Sequence, residues 1–220
     1  MLGLVFDCDG TIADTEAVTA QATIKMFRDL YNFDVTEDEF LPFVGTGAIR
    51  YVEGPAQLHG VTIDTPKAVA VRQENFAALM KSRGPSIIFP GVLDLMRAAA
   101  ADPDWKLAVA TSSPRDNSMA TMETTQIPLD LFDAYITGDT ISHKKPHPEI
   151  YLAAAAALNL APGRCVAVED AVTGVSAAKA AGMKCIAVTN SFPESELGHA
   201  DLVVKSVAQL TLGKLRDLIG

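Results

Sequence analysis

Leu4-Val5-Phe6-Asp7-Cys8-Asp9-Gly10-Thr11 runs an apolar segment straight into two carboxylates and a Gly-Thr pair. A short unbroken apolar run has the form of a strand buried on both faces, as in a parallel sheet, followed by a loop at its carboxyl end. Open α/β sheets place their ligands at that end. Two carboxylates two positions apart, beside a glycine, can serve together as nucleophile, metal ligand and proton donor. Asp9-Gly10 is also a strong hairpin dipeptide, so the stretch alone fits an antiparallel turn equally well.

The chain beyond it decides between the two. Helical periodicity predicts helices over 15–30, with Asp14 as N-cap, and over 36–44, 48–59 and 66–81, the last stopped by Gly84-Pro85. No strand pattern interrupts this region. From Ser86 onward the grammar alternates β and α. Phe89-Pro90-Gly91 opens a helix through Ala101, and the predicted strands are 106–110, 134–137, 165–168, 185–188 and 202–204. Helices are predicted over 115–125, 149–158, 172–181 and 207–219. Alternation with short connections argues for an α/β fold, a Rossmann-like doubly wound parallel sheet. Residues 1–13 and 87–220 form the expected catalytic core, and 14–86 an inserted all-helical domain.

Bulk properties narrow the function. The 220 residues are 49% hydrophobic, enough for a sizeable core and too apolar for a disordered chain. A net charge of −9 disfavours nucleic acid and anionic membrane surfaces as partners. Any anionic substrate must therefore be held by local positive groups. Cys8, Cys165 and Cys185 form no framework spacing and sit in or beside apolar runs, which suggests buried thiols in a reducing compartment. Met1 to Phe6 lacks the length and basic start of a signal peptide, and no apolar run reaches membrane-spanning length. The expectation is a cytoplasmic, monomeric protein acting on a small molecule.

Four predicted strand ends carry polar residues of particular kinds: Asp7 and Asp9; Thr111 and Ser112; Lys145, in His143-Lys144-Lys145-Pro146 after the third strand; and Glu169 with Asp170. In a parallel sheet these should converge along one edge. Carboxylates from two strands can bind Mg²⁺, a hydroxyl with free backbone N–H groups suits phosphate oxygens, and a lysine supplies positive charge. One carboxylate can attack phosphorus while another moves the proton. The parts describe phosphoryl transfer. Each residue also has a plainer reading. Asp170 can be a helix N-cap, Lys145 a solvated charge, and Thr111-Ser112-Ser113 ordinary loop chemistry. His59, His143, His147 and His199 read as scattered surface or capping residues, and Trp105 as packing.

These residues resemble the haloacid dehalogenase superfamily, in its branch with a helical cap inserted after the first strand, which includes β-phosphoglucomutase and phosphoglycolate phosphatase. The matching motifs are Asp7-Cys8-Asp9-Gly10-Thr11, Thr111-Ser112-Ser113, Lys145-Pro146-x-Pro148 and Val168-Glu169-Asp170 followed by Thr173-Gly174. They occur in the family's order across nearly the whole chain. The resemblance implies that Asp7 is nucleophile and Mg²⁺ ligand, and that Asp9 is general acid/base and binds the metal through its carbonyl. It implies further that Asp170 is a ligand, that Glu169 is a ligand or its support, and that Thr111, Ser112 and Lys145 hold the phosphoryl group. Residues 14–86 would be the cap, with Gly45, Thr46, Arg50 and Arg72 as candidate substrate contacts. Relatives often carry histidine where Thr19 stands, and the mutase's cap arginine has no counterpart at the aligned position. Arg72 aligns with a cap lysine of the mutase. The implied activity is Mg²⁺-dependent hydrolysis of a small phosphate ester, a sugar phosphate, through an aspartyl-phosphate. The alternatives are a sugar phosphomutase and a non-catalytic phosphate-binding protein.

Overall fold

A computed structural model describes residues 1–43 and 48–220. Its sheet contains β1 (Leu2–Phe6), β2 (Trp105–Ala110), β3 (Ala134–Ile136), β4 (Cys165–Glu169), β5 (Lys184–Val188) and β6 (Leu202–Val204). The strand order is β3-β2-β1-β4-β5-β6, and every pairing is parallel. The chain winds outward from β1 to β3, returns past β1 to β4, and winds out on the other side. This reversal beside β1 creates a crevice at the carboxyl ends of β1, β2 and β4. Parallel pairing of β1 on both sides excludes a hairpin at Asp9-Gly10. Instead the chain loops back on itself, with the N–H groups of Thr11 and Ile12 donating to the Cys8 carbonyl.

The chain divides into two compact units, Met1–Asp14 with Pro85–Gly220, and Thr15–Gly84. In the helical unit lie α1 (Thr15–Tyr31), α2 (Ala48–Leu58) and α3 (Thr65–Arg83). Met26, Phe27, Phe40, Tyr51, Val52 and Ala68 form its apolar centre. Asp64 caps α3 by accepting from Lys67 N–H, and the Gly84 N–H closes the other end on Met80 O. The helix predicted over 36–44 is a 3-10 helix, Glu37–Phe43. Pro42 inside it has no N–H and obstructs the i→i−4 ladder. Residue 44 and the Gly45-Thr46-Gly47 turn lie outside the described residues, and with them Gly45 and Thr46 as candidate contacts.

The sheet unit adds α4 (Val92–Ala101), α5 (Arg115–Thr125), α6 (Glu149–Ala157), α7 (Val172–Ala180), α8 (Glu194–Leu197) and α9 (Leu212–Ile219). One face of the sheet presents Val5, Ala108, Ala167 and Ala187 to Ile150, Tyr151, Ala154 and Leu158 of the α6 segment and to Val175 and Ala178 of α7. Alanine on both surfaces lets helix and sheet approach closely at Ala154 and Ala155, while Ala156 and Ala157 of the same run are exposed. α4 packs on β2 and α9 on β4. The helix predicted over 207–219 is broken. A 3-10 turn at Val207–Gln209 ends at Leu210, and extended Thr211 then caps α9 by accepting from Lys214 N–H at 3.3 Å. A β-branched residue with a capping oxygen starts a new helix more readily than it continues one. No helix among the described residues is long and apolar enough to cross a membrane.

Candidate active site

Register brings the site together. Phe6 stands opposite Val109 on β2 and Val168 on β4, so the next residue of each strand, Asp7, Ala110 and Glu169, lies level at the carboxyl edge. The Asp7 N–H continues the ladder to Val168 O at 3.0 Å. Asp7, Thr111, Glu169 and Asp170 are all buried.

Lys145 reaches into this edge from the loop before α6. Its Nζ donates to Asp7 Oδ1 at 2.5 Å, Glu169 Oε1 at 2.6 Å and Ala110 O at 3.2 Å. The side chain is 8% exposed, so it is no solvated charge. Burial alone would favour the neutral amine, but the carboxylates of Asp7 and Glu169 reverse this and push its pKa above the usual lysine value. Tyr151, in the first turn of α6, lies beneath the pair. Its hydroxyl donates to Glu169 Oε1 at 2.6 Å, and its ring centroid is 5.1 Å from Lys145 Nζ. Glu169 Oε2 accepts from the N–H groups of Asp170 and Ala171. A Cβ at Gly174, in the first turn of α7, would collide with the Glu169 carboxylate. The helix start must therefore carry glycine for Glu169 to lie there.

Asp170 is not the N-cap of α7. That position is Ala171, which makes no side-chain cap bond. Asp170 instead points back at the β1 loop, accepting from Thr11 Oγ1 at 3.0 Å and from Ser191 Oγ. Gly10, in the left-handed region at φ 77°, passes so close that any Cβ would strike this carboxylate. Asp9 Oδ2 accepts from Ser113 Oγ at 2.5 Å and, more weakly, from Thr111 Oγ1 at 3.4 Å. Thr111 Oγ1 itself accepts from Ser113 N–H. Ser112 takes part through its backbone, its carbonyl accepting from exposed Lys144.

The site holds more negative than positive charge. Burial raises the Asp7 pKa well above the carboxylate range, with Glu169, Asp170 and Asp9 adding to the rise and Lys145 opposing it. Burial, then the Glu169 charge, pushes Asp170 up to about 7 despite the hydroxyls of Ser191 and Thr11. Cys8 is fully buried, and burial, then the charges of Asp9 and Asp7, push its thiol pKa up, which makes it a poor nucleophile. Oxygens of Asp7, Glu169 and Asp170 lie within 4.8 Å of one another. A hard divalent cation suits such an all-carboxylate set and would remove the charge excess. Both Glu169 oxygens are engaged by four donors in all, whereas each Asp170 oxygen has one hydroxyl donor and Asp7 is bonded by Lys145 at Oδ1, so Asp7 and Asp170 could hold such a cation with Glu169 supporting them.

Arg50 and Arg72 belong to the helical unit. Exposed Arg50 lies over the Phe43 ring at 5.7 Å. Half-buried Arg72 stands near Tyr51 and Glu16, and its Nε is buried with no hydrogen-bond partner. Ser113, Tyr151, Thr11 and Ser191 were not legible as partners of the acidic residues. Ser191 follows Val188 in Thr189-Asn190-Ser191, so the rule that polar residues after a strand gather at one edge would have found it.

A family model described as a haloacid dehalogenase-like hydrolase matches residues 1–182. The chain belongs to this family. Among similar proteins is the putative phosphatase YhcW of Bacillus subtilis, 33% identical, with 97% of this chain and 96% of that protein aligned. Another is the chloroplastic Protein SUPPRESSOR OF QUENCHING 1 of Arabidopsis thaliana, 35% identical over 90% of this chain, of which the chain spans only 19%. The crystal structure of CbbY from Rhodobacter sphaeroides in complex with xylulose-(1,5)bisphosphate superposes with a TM-score of 0.78 at 30% identity, covering 96% of each chain. As a haloacid dehalogenase-like hydrolase, the chain is an enzyme of the phosphatase/hydrolase kind.

Tyr151→Phe keeps the ring beneath Lys145 but removes one donor from a buried carboxylate. It should lower unfolding stability by about 1–3 kcal/mol. Urea unfolding of the metal-free proteins measures this, and an unchanged midpoint would mean that the hydroxyl contributes nothing.

Proposed function

We propose that this chain is a Mg²⁺-dependent phosphatase that hydrolyses a small sugar phosphate through an aspartyl-phosphate on Asp7. The observation that carries the reading is the buried Lys145 ammonium bridging Asp7 and Glu169, two residues from an Asp9 held by Ser113. Lys145 fixes one Asp7 oxygen, leaving the other to attack phosphorus. As that P–O bond forms, the ester P–O bond breaks, and Asp9 gives its proton to the departing sugar oxygen. Asp9 then takes a proton from the water that attacks the aspartyl-phosphate, releasing inorganic phosphate and restoring Asp7. Thr111 and Ser112 hold the phosphoryl oxygens, and Lys145 joins them by exchanging its 3.2 Å bond to Ala110 O for one to the phosphoryl group. Asp7, Asp170 and the Asp9 carbonyl, with Glu169 behind them, would hold Mg²⁺, which would neutralise charge on the transferring group.

The sugar-phosphate class is supported by the CbbY structure with its bound sugar bisphosphate. We assign the helical unit as the cap that selects substrate, with Arg72 as its recognition group. A desolvated guanidinium with an unpartnered Nε is suited to an anion or a hydroxyl. Arg50 already has an aromatic partner and is the weaker candidate. Three buried unpaired cysteines support a reducing compartment such as the cytoplasm.

The direct test is phosphate release from a panel of sugar mono- and bisphosphates, phosphoglycolate and nucleotides, with and without Mg²⁺. Asp7→Asn should abolish turnover, and Asp9→Asn should slow it by about 10²–10⁴-fold. Absence of Mg²⁺-dependent hydrolysis across the panel would falsify the reading. Interconversion of phosphorylated isomers without phosphate release would assign the same core to a mutase.

Mg²⁺ should also stabilise the folded protein, by about 2.7 kcal/mol at a hundredfold excess over its dissociation constant. Metal displaces protons from Asp7 and Asp170, whose pKa values are raised, so the rise in Tm should be larger at about pH 8 than at about pH 5.5. A Tm indifferent to Mg²⁺ at both values would remove the metal from this site.

Arg72→Ala should reduce kcat/KM on the best sugar phosphate far more than on a generic aryl phosphate. Equal losses on both substrates would exclude Arg72 from recognition.

A further inference from the structure

Outside the acidic centre, the sheet unit gathers a second set of metal-ligating side chains. His143 and His147 bracket Lys145, two residues to either side, and Glu149 opens α6. The turn between the histidines is closed by His147 N–H donating to Lys144 O at 3.0 Å, and it brings the two rings to 4.5 Å between centroids. Glu149 is held in place by the backbone, accepting from the N–H groups of Ser142 at 2.7 Å and His143 at 2.9 Å. Its Oε2 lies 2.8 Å from His143 Nδ1 and 3.9 Å from His147 Nδ1. The Glu149 N–H donates to His147 Nδ1, so that nitrogen carries a lone pair. That lone pair is engaged by this one 3.3 Å bond, and the nitrogen stands 3.9 Å from the carboxylate oxygen at a surface where all three side chains are at least 30% exposed.

We propose that His143, His147 and Glu149 bind a borderline divalent transition-metal ion, of which Zn²⁺ is the representative, on the turn that delivers Lys145. The donor atoms lie within 4.8 Å of one another. Tetrahedral zinc at about 2.0–2.2 Å from nitrogen and oxygen requires donors roughly 3.3 Å apart, a spacing that side-chain rotation can reach. Binding requires the neutral His143 ring to change tautomer, its proton passing from Nδ1 to Nε2 through solvent so that the freed Nδ1 lone pair forms the N–Zn bond; His147 Nδ1 exchanges its 3.3 Å bond from the Glu149 N–H for the metal, and water fills the remaining coordination position. Two imidazoles with one carboxylate favour zinc over Mg²⁺, which prefers oxygen donors, so the two metal sites differ in kind. The cysteines do not compete, since all three are buried.

The test uses the full chain saturated with Mg²⁺, so that the acidic centre is filled, and titrates it with Zn²⁺ by calorimetry while following histidine ring protons by NMR. One zinc ion should bind per chain. Of the four histidines, the signals of His143 and His147, assigned with the single alanine variants, should shift, whereas those of His59 and His199 stay in place. The exposed His143→Ala/His147→Ala variant should bind zinc at least about tenfold more weakly. No binding, a smaller loss of affinity in the double variant, or shifts confined to His59 and His199 would overturn the proposal.

Discussion

The site depends on one buried cation. The Lys145 ammonium lies almost entirely out of water, and only the carboxylates of Asp7 and Glu169 make that position tolerable. Removing the lysine would leave two buried carboxylates without their cation, at a cost of about 3–5 kcal/mol, whereas removing one carboxylate leaves the other in place. The geometry around it follows from this constraint. β1 and β4 must pair in the register that brings Asp7 and Glu169 level, and the loop before α6 must carry a lysine to a point between them.

The same pairing leaves the centre short of positive charge. Glu169 is fully engaged by Lys145, Tyr151 and two backbone N–H groups. Asp7 and Asp170 are buried beside it, and their carboxyls are pushed upward by burial and by the neighbouring negative charges. A pair of acids in that state fits a divalent cation better than it fits solvent. The glycines agree with this arrangement. Gly10 and Gly174 stand where any Cβ would occupy the space of the Asp170 and Glu169 carboxylates, so the acidic centre is shaped by small residues as well as by acidic ones.

The positions of Asp7, Asp9, Thr111, Lys145, Glu169 and Asp170 near one edge were legible in the sequence, because each follows a predicted parallel strand and the carboxyl ends of such strands share an edge. Less of the contact pattern was legible. Ser113 holds Asp9, Tyr151 supports Glu169, and Ser191, in the segment after β5, meets Asp170. The histidines read as scattered, yet the turn around Lys145 brings His143 and His147 into ring contact. Each of these depends on loop path and side-chain direction, which no periodicity encodes. Local chemistry also overrode pattern at Pro42, which confines its segment to a 3-10 helix, and at Thr211, which restarts the last helix.

By itself, the sequence determined the α/β alternation, the helical insertion after β1 and the kinds of residue at each strand end, because apolar runs, turn residues and charge are local properties of the chain. The tertiary structure decided which of those residues meet: Lys145 with Asp7 and Glu169, Asp9 with Ser113, Asp170 with Thr11 and Ser191. The reason is physical. A buried charge is acceptable only with a partner at hydrogen-bond distance, and that partner is supplied by the parallel register and the packing of α6 and α7 on the sheet, both of which join residues far apart in the chain.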